Sequence, residues 1–372
     1  MKNSLLLLIF LLTIIICSAK EIIVIDSNDN SPLNGCTVIS SNGLILGSTD
    51  SNGSLNADYK DFPLTFKSLG FSTKFVEDNT IDTVFMEPAV YPLQEVVINP
   101  GDRPITRVLA YIREYCTGAT NKDTLQMYSE YMFEYFFADG KVKGFDKTHQ
   151  TGISRYVQRY GRIAKSNGTD SVMRPKYGDN MTAISFVDNM VFIPNEQKEE
   201  TEILKHGQQN IDTIWGKYYP KFIYRKTDKN FFIDCDALSD YKEHKVSPWF
   251  FKILGMTMDM HKAEWSVMYH NNGTSKYNLN DFIYGIYNIS VKGKGKQLKK
   301  MIGVDDVIDI DCYMELYPVE ITYLTTEEYK EIKREYFDRK SELIRPENLT
   351  PIPPSVQSLV DRINIEIPLN KK

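Results

Sequence analysis

Residues 308–316 read Ile308, Asp309, Ile310, Asp311, Cys312, Tyr313, Met314, Glu315, Leu316. Ile308, Ile310, Cys312, Met314 and Leu316 fall on one side of a period of two, with Asp309, Asp311 and Glu315 on the other. Successive side chains of a strand point to opposite faces, so this alternation predicts a strand, spanning 307–324, with one buried and one wet face. The same period recurs upstream in Leu125, Met127, Tyr131, Phe133, Tyr135 and Phe137, with Asp139 and Gly140 as a hairpin turn. Further strand signals lie at 184–193, at 220–235 with a turn from Thr227 to Asn230, at 263–270 followed by Asn271, Asn272 and Gly273, and at 277–290. Together they predict a mainly β chain whose larger part is a β-rich α+β domain, one large curved antiparallel sheet with flanking helices.

Three helices are expected around that sheet. Asp102 and Pro104 open the first by capping and by proline's fixed φ, and Ile105, Val108, Leu109, Ile112 and Cys116 share its face as far as Gly118. Thr325 and Glu328 form a capping box for a helix running to Lys340, with Tyr329, Ile332 and Tyr336 inward. A Pro-rich linker at 346–354 precedes a short helix from Ser355 carrying Val356, Leu359, Val360 and Ile363.

The chain has 372 residues, 42% hydrophobic and 25% charged, which fits two or three globular domains and excludes disorder, collagen-like repeats and a polytopic helical membrane protein. A net charge of −5 disfavours a dedicated nucleic-acid binder, which presents a basic face to phosphates. Aromatic residues make up 12%, and the 23 tyrosines outnumber the 19 phenylalanines. That balance suits sheets in which a ring packs while its hydroxyl stays wet.

Lys2 followed by the apolar run Leu5 to Cys17 reads as a secretory signal, with cleavage after Ala19. The alternative makes Cys17 the lipidated first residue of a lipoprotein, against which Ile16 is large where a small residue is usual. No later stretch approaches the ~20 apolar residues of a transmembrane helix, so none is expected in the mature chain. Four cysteines then remain, Cys36, Cys116, Cys235 and Cys312, without Cys-x-x-Cys or other zinc-ligand spacing. Small buried hydrophobes are the favoured reading. If one bridge forms, Cys235 with Cys312 is expected, because both lie in alternating segments.

Residues 20–98 carry short apolar strands about ten residues apart, separated by turn formers. The series runs through Val24 and Asp26, then Pro32, Leu33, Gly35, Cys36 and Val38, and then Gly43, Gly47, Thr49, Asp50, Asn52, Gly53 and Leu55. Leu64, Phe66, Leu69, Gly70 and Phe71 follow, and Leu93, Glu95, Val96, Val97 and Ile98 close it. It resembles the carboxypeptidase regulatory-like domain, a transthyretin-like Greek-key β-sandwich of seven strands. The resemblance implies a non-catalytic accessory module, found beside metallocarboxypeptidases, ahead of outer-membrane receptors and on Gram-negative envelope proteins. Domains are thus expected at 20–98, at 99–345, and as a linker with a short helix at 346–372.

His261 and Glu264 have the His-x-x-Glu form of a zinc peptidase, but only His270 follows as a third ligand, and in a strand His261 and Glu264 point apart. Lys292, Gly293, Lys294, Gly295 and Lys296 read as a solvated hairpin loop, lacking a phosphate-cradle motif. Asp305, Asp306, Asp309 and Asp311 read as the wet side of a strand rather than a calcium loop. No nucleophile-elbow motif occurs. Tyr128, Tyr131, Tyr135, Tyr156, Tyr160, Tyr218, Tyr219 and Tyr224 are the candidates for a binding platform. The expectation is an exported envelope protein without cofactor, more binding or scaffolding module than enzyme, contacting a partner protein, glycan or lipid in the periplasm or at the outer membrane. The alternatives are a peptidase or polysaccharide hydrolase, and a periplasmic component of an outer-membrane assembly.

Overall fold

The computed structural model describes residues 20–91, 101–120, 124–138, 142, 155–165, 171–173, 198–253, 255–296, 299, 306–334, 343–347 and 349–366. The signal segment with Cys17, the 93–98 closing run, the Asp139 and Gly140 turn and the 184–193 strand lie outside the described residues, as do the side chains of Tyr156, Tyr160 and Ile363. The chain divides into two compact units. One comprises the chain up to Val90 with Thr350–Ser355, and the other Tyr91–Leu349 with the residues from Val356 on.

The first unit contains β1 Lys20–Asp26, β2 Thr37–Ile39, β3 Ile45–Ser48, β4 Ser54–Ala57, β5 Leu64–Lys67, β6 Lys74–Val76 and β7 Thr83–Met86. They form a three-stranded sheet, β4-β1-β7, with β1 parallel to β7, and a four-stranded sheet, β3-β2-β5-β6. Ile22, Val24, Val84 and Met86 of one sheet share a core with Val38, Leu64, Phe66 and Val76 of the other, which makes the unit a β-sandwich. Its turns work as their residues require. Asp50 Oδ1 accepts the backbone N–H of Asn52 and of Ser54, each at 2.9 Å. Gly53 has φ +71°, and a Cβ there would lie 2.4 Å from the Val24 carbonyl oxygen, so only glycine fits. Lys67 is buried and donates to Thr350 Oγ1 at 2.9 Å, tying the 350–355 segment to this unit.

The second unit begins with β8 Ile105–Ala119, β9 Thr124–Ala138, β10 Arg155–Lys165, β11 Ser171–Met173 and β12 Lys198–Glu199. After α1 Glu202–Lys205 come β13 Ile211–Trp215, β14 Pro220–Lys226, β15 Asn230–Asp236 and α2 Trp249–Ile253. Then follow β16 Met256–His270, β17 Lys276–Tyr277, β18 Phe282–Gly295, β19 Ile308–Leu324, α3 Thr326–Arg334 and α4 Pro354–Glu366. Ten strands form one sheet in the order β11-β10-β9-β8-β19-β18-β16-β15-β14-β13, every neighbouring pair antiparallel.

The helix expected from Pro104 to Gly118 is instead strand β8. Its apolar residues do recur at helical spacing, but the intervening Tyr111, Arg113 and Tyr115 are also buried. A central strand covered on both faces loses its alternation and cannot be told from a helix by period. The Lys-Gly run is likewise not a loop, since β18 extends through Gly295. A Cβ on Gly293 would lie 2.1 Å from the Thr257 carbonyl oxygen and one on Gly295 2.7 Å from that of Gly255, so the glycines admit the β16 backbone while Lys292 and Lys294 project from the other face. The capping box at α3 is formed as expected. Thr325 N–H donates to Glu328 Oε2 at 2.7 Å, and Glu328 N–H donates to Thr325 Oγ1 at 3.2 Å. Tyr329 of α3 packs with Ile105, Phe136 and Leu324.

Candidate functional site

The large sheet has two chemically distinct faces. On one, Arg113 of β8 sits opposite Glu315 of β19, both buried, and the guanidinium Nε donates to Glu315 Oε2 at 2.9 Å while Nη2 bonds the same oxygen. Tyr313 and Tyr317 donate to this carboxylate at 2.7 and 3.3 Å. Burial opposes the charge on Arg113, but the Glu315 carboxylate more than offsets it and holds the group above its ordinary value. Tyr317 stacks on Tyr284 at 5.0 Å, and the Tyr284 hydroxyl lies 3.0 Å from that of Tyr91, which burial pushes up to about 12.

A second buried carboxylate, Glu130 of β9, accepts from Tyr111 at 2.6 Å and from Arg345 Nε and Nη2 at 2.9 and 3.0 Å. Arg107 bridges Glu134 and Glu320 at 2.7 and 3.0 Å. Each of these carboxylates meets a guanidinium, Arg107 serving two of them, so the face is a paired polar network suited to fixing strand register.

The opposite face is apolar. Val108, Ala110 and Ile112 continue there through Tyr131, Phe133, Tyr135 and Phe137 of β9, Ile308 and Leu316 of β19, Tyr287 and Ile289 of β18, and Val267 and Tyr269 of β16. Within it lies a small chemical exception. Cys116 faces Cys312 across β8 and β19 with Cα atoms 4.1 Å apart, and the two form a disulfide. Glu114, 0% exposed, accepts from Ser129 Oγ at 3.0 Å, and its Oε1 lies 3.2 Å from Cys116 Sγ. The expected Cys235–Cys312 bridge is thereby corrected. β15, which carries Cys235, is separated from β19 by β16 and β18, and Cys36 and Cys235 are free and buried.

The zinc-peptidase residues are not brought together. His261 sits at a register shift in β16, 3.6 Å from Asp309, and Glu264 and His270 are six residues apart on the same strand, about 20 Å along its axis. Among the described residues, the group of three metal-capable side chains whose ligand atoms converge within 4.8 Å is Glu114, Cys116 and Cys312. Of the acidic run, Asp309 pairs with Lys292 at 2.7 Å, and Asp311 accepts from Ser290.

The tyrosines do not form one platform either. Tyr128 lies on the polar face, where burial removes it from solvent, and Tyr131, Tyr135 and Tyr224 lie on the apolar face. The odd spacing between Tyr128 and Tyr131 puts them on opposite faces. Tyr218 and Tyr219 are exposed, in the turn between β13 and β14.

That turn belongs to a surface strip. β13 is the terminal strand of the sheet and, among the described residues, pairs with β14 alone. Ile211, Ile214 and Trp215 on it are exposed, Trp215 at 66%. Lys217 Nζ stands 5.1 Å over the Tyr218 ring, and Tyr219 donates to the Lys242 carbonyl at 2.9 Å beside exposed Tyr241. Tyr219 also meets His244 edge-on at 4.9 Å, and His244 Nε2 lies 2.6 Å from Asp236 Oδ2. The strip joins the terminal strand of the sheet, whose strand pairing among the described residues is with β14, to aromatic rings and lysines. The run Trp215, Gly216, Lys217, Tyr218 and Tyr219 was its only signal in the sequence, and the edge position of β13 was not. No helix among the described residues is long and apolar enough to cross a membrane. Comparison with protein-family models and with curated proteins gives no match for this chain.

Proposed function

We propose that the chain is an exported cell-envelope protein that acts by binding rather than by catalysis. In this reading its N-terminal sandwich is an accessory module of the carboxypeptidase regulatory-like kind, and its large sheet is a binding or scaffolding domain for an envelope protein, glycan or lipid. The observation that carries the reading is the β13 edge with Ile214, Trp215, Tyr218 and Tyr219 exposed beside Lys217. An open edge offers main-chain hydrogen bonds to an added strand, and flanking aromatics supply contact area with little entropy to lose. The buried acids of the polar face are used against guanidinium groups, as in a scaffold, rather than held open toward a cleft.

The test is site-specific photo-crosslinking in intact envelopes, with the crosslinker at Trp215 and, as control, at exposed Phe85 of the sandwich. A discrete adduct from Trp215 that disappears in Ile214→Lys, with the fold retained, supports the reading. Equal labelling from both positions, or none from Trp215, overturns it. An adduct with an integral outer-membrane protein would make the chain part of a membrane assembly. The targeting element is tested separately by the mass of the mature N-terminus.

A further inference from the structure

The cysteine pair at the middle of the sheet has neighbours that a structural disulfide does not need. On one rung of the antiparallel ladder, register places Met127, Cys116 and Cys312 side by side across β9, β8 and β19. Two rungs toward Leu316, on the same face, it places Ser129, Glu114 and Met314 in the same order. Glu114, Cys116, Met127, Ser129, Cys312 and Met314 are all buried, and the cysteines and methionines belong to the apolar core. Glu114 shares the face of the two sulfurs, its Oε1 3.2 Å from Cys116 Sγ and its Oε2 held by Ser129 Oγ at 3.0 Å.

We propose that, when the disulfide is reduced, Glu114, Cys116 and Cys312 form a buried three-donor site for a thiophilic d10 cation, Zn2+ or Cu+. Two thiolates and a carboxylate, with one position open, are a donor set that Zn2+ accepts, and the two thiolates alone are a soft pair that Cu+ accepts. Their ligand atoms already lie within 4.8 Å of one another. Ser129, donating to Glu114 at 3.0 Å, orients the carboxylate as an outer partner does in metal sites. Met127 and Met314 make the surroundings soft, which favours Cu+ over harder ions.

The conversion balances. A small dithiol gives two electrons and two protons to the Cys116–Cys312 bond, yielding two thiols and its own disulfide. The entering cation then displaces the two thiol protons to solvent, with no further change in oxidation state. Oxidised and metal-loaded forms are thus mutually exclusive states of one site.

The test uses the full chain, reduced with a phosphine under inert gas and freed of it, then titrated with Zn2+ and separately with Cu+ against chromophoric chelators. One equivalent per chain of either ion is expected, none for the oxidised chain, and at least tenfold weaker binding in Glu114→Gln. The ion held more tightly identifies the cation. Co2+ should give a thiolate charge-transfer band that Cys116→Ala and Cys312→Ala abolish. Should these variants fail to fold, protection mapping on the parent chain decides. The bound ion must shield Cys116 and Cys312 from alkylation. A reduced, folded chain that takes up no equivalent of either ion, or in which Cys36 or Cys235 is shielded instead, overturns the proposal.

Discussion

Arg113 and Glu315, 202 residues apart in sequence, face each other on adjacent strands with both side chains buried. Two donors of the guanidinium converge on one carboxylate oxygen while Tyr313 and Tyr317 donate to the carboxylate as well. Removing one partner leaves an uncompensated charge in a dry place. Glu315→Leu should cost about 3–5 kcal/mol, and Arg113→Met with Glu315→Leu much less than the sum of those two single changes. Urea unfolding of the two single variants and the double variant measures both. Additive costs would show that the pair is not coupled.

His244 gives a prediction in pH. Its hydrogen bond to Asp236 raises the imidazole pKa, while partial burial opposes the rise. A raised folded value means the pair's contribution is fully present below the unfolded pKa of about 6.5 and fades as pH climbs through the folded one. Because His244 has φ +49°, His244→Asn keeps a residue tolerant of that backbone. The gap in unfolding midpoint between parent and variant should be wide near pH ~5.5 and narrow by pH ~9. A gap that widens with pH would contradict the assignment.

Thiol chemistry should sort the cysteines. Burial pushes Cys36 and Cys235 each up to about 12, so at pH ~8 only about one thiol in ten thousand is ionised. Neither should alkylate in the folded chain, and both should after denaturation. Peptides containing Cys116 and Cys312 should stay linked until a reductant is added. Mass mapping under these conditions reads all four positions at once.

Gly293→Ala should destabilise the large sheet by roughly 1–3 kcal/mol, because the new methyl meets the β16 backbone rather than a side chain that can turn away. Lys294→Ala, one residue on and exposed, should stay within about 0.5 kcal/mol. Thermal unfolding of the two variants distinguishes a packing glycine from a loop glycine.

The period of two from Ile308 to Leu316, the hairpin around Thr227 to Asn230 and the Thr325 capping box were legible because each is a local pattern, but the wet face expected at Glu315 is corrected, since Glu315 is buried beside Arg113. β8 was not. Tyr111, Arg113 and Tyr115 are buried through partners elsewhere in the chain, and no short window reports that. The pairing of Cys116 with Cys312 was hidden for the same reason. A strand pattern tells which residues share a face, but not which strands are neighbours. Tyr218 and Tyr219 were picked out with six other tyrosines, and what separates them is the edge position of β13, a property of sheet order.

The neighbourhood of β8 and β19 also bears on how the chain assembles. β8–β11 and β13–β18 each contain strands that can pair early, whereas the seam between the two groups waits for β19, whose Cys312 lies 196 residues after Cys116. Without β19, β8 and β18 would each lose the partner strand on that side and present a long edge. Such edges recruit wrong partners, and contacts so distant in sequence form slowly. A chain truncated before Ile308 should therefore be lost to aggregation rather than persist as a smaller folded domain.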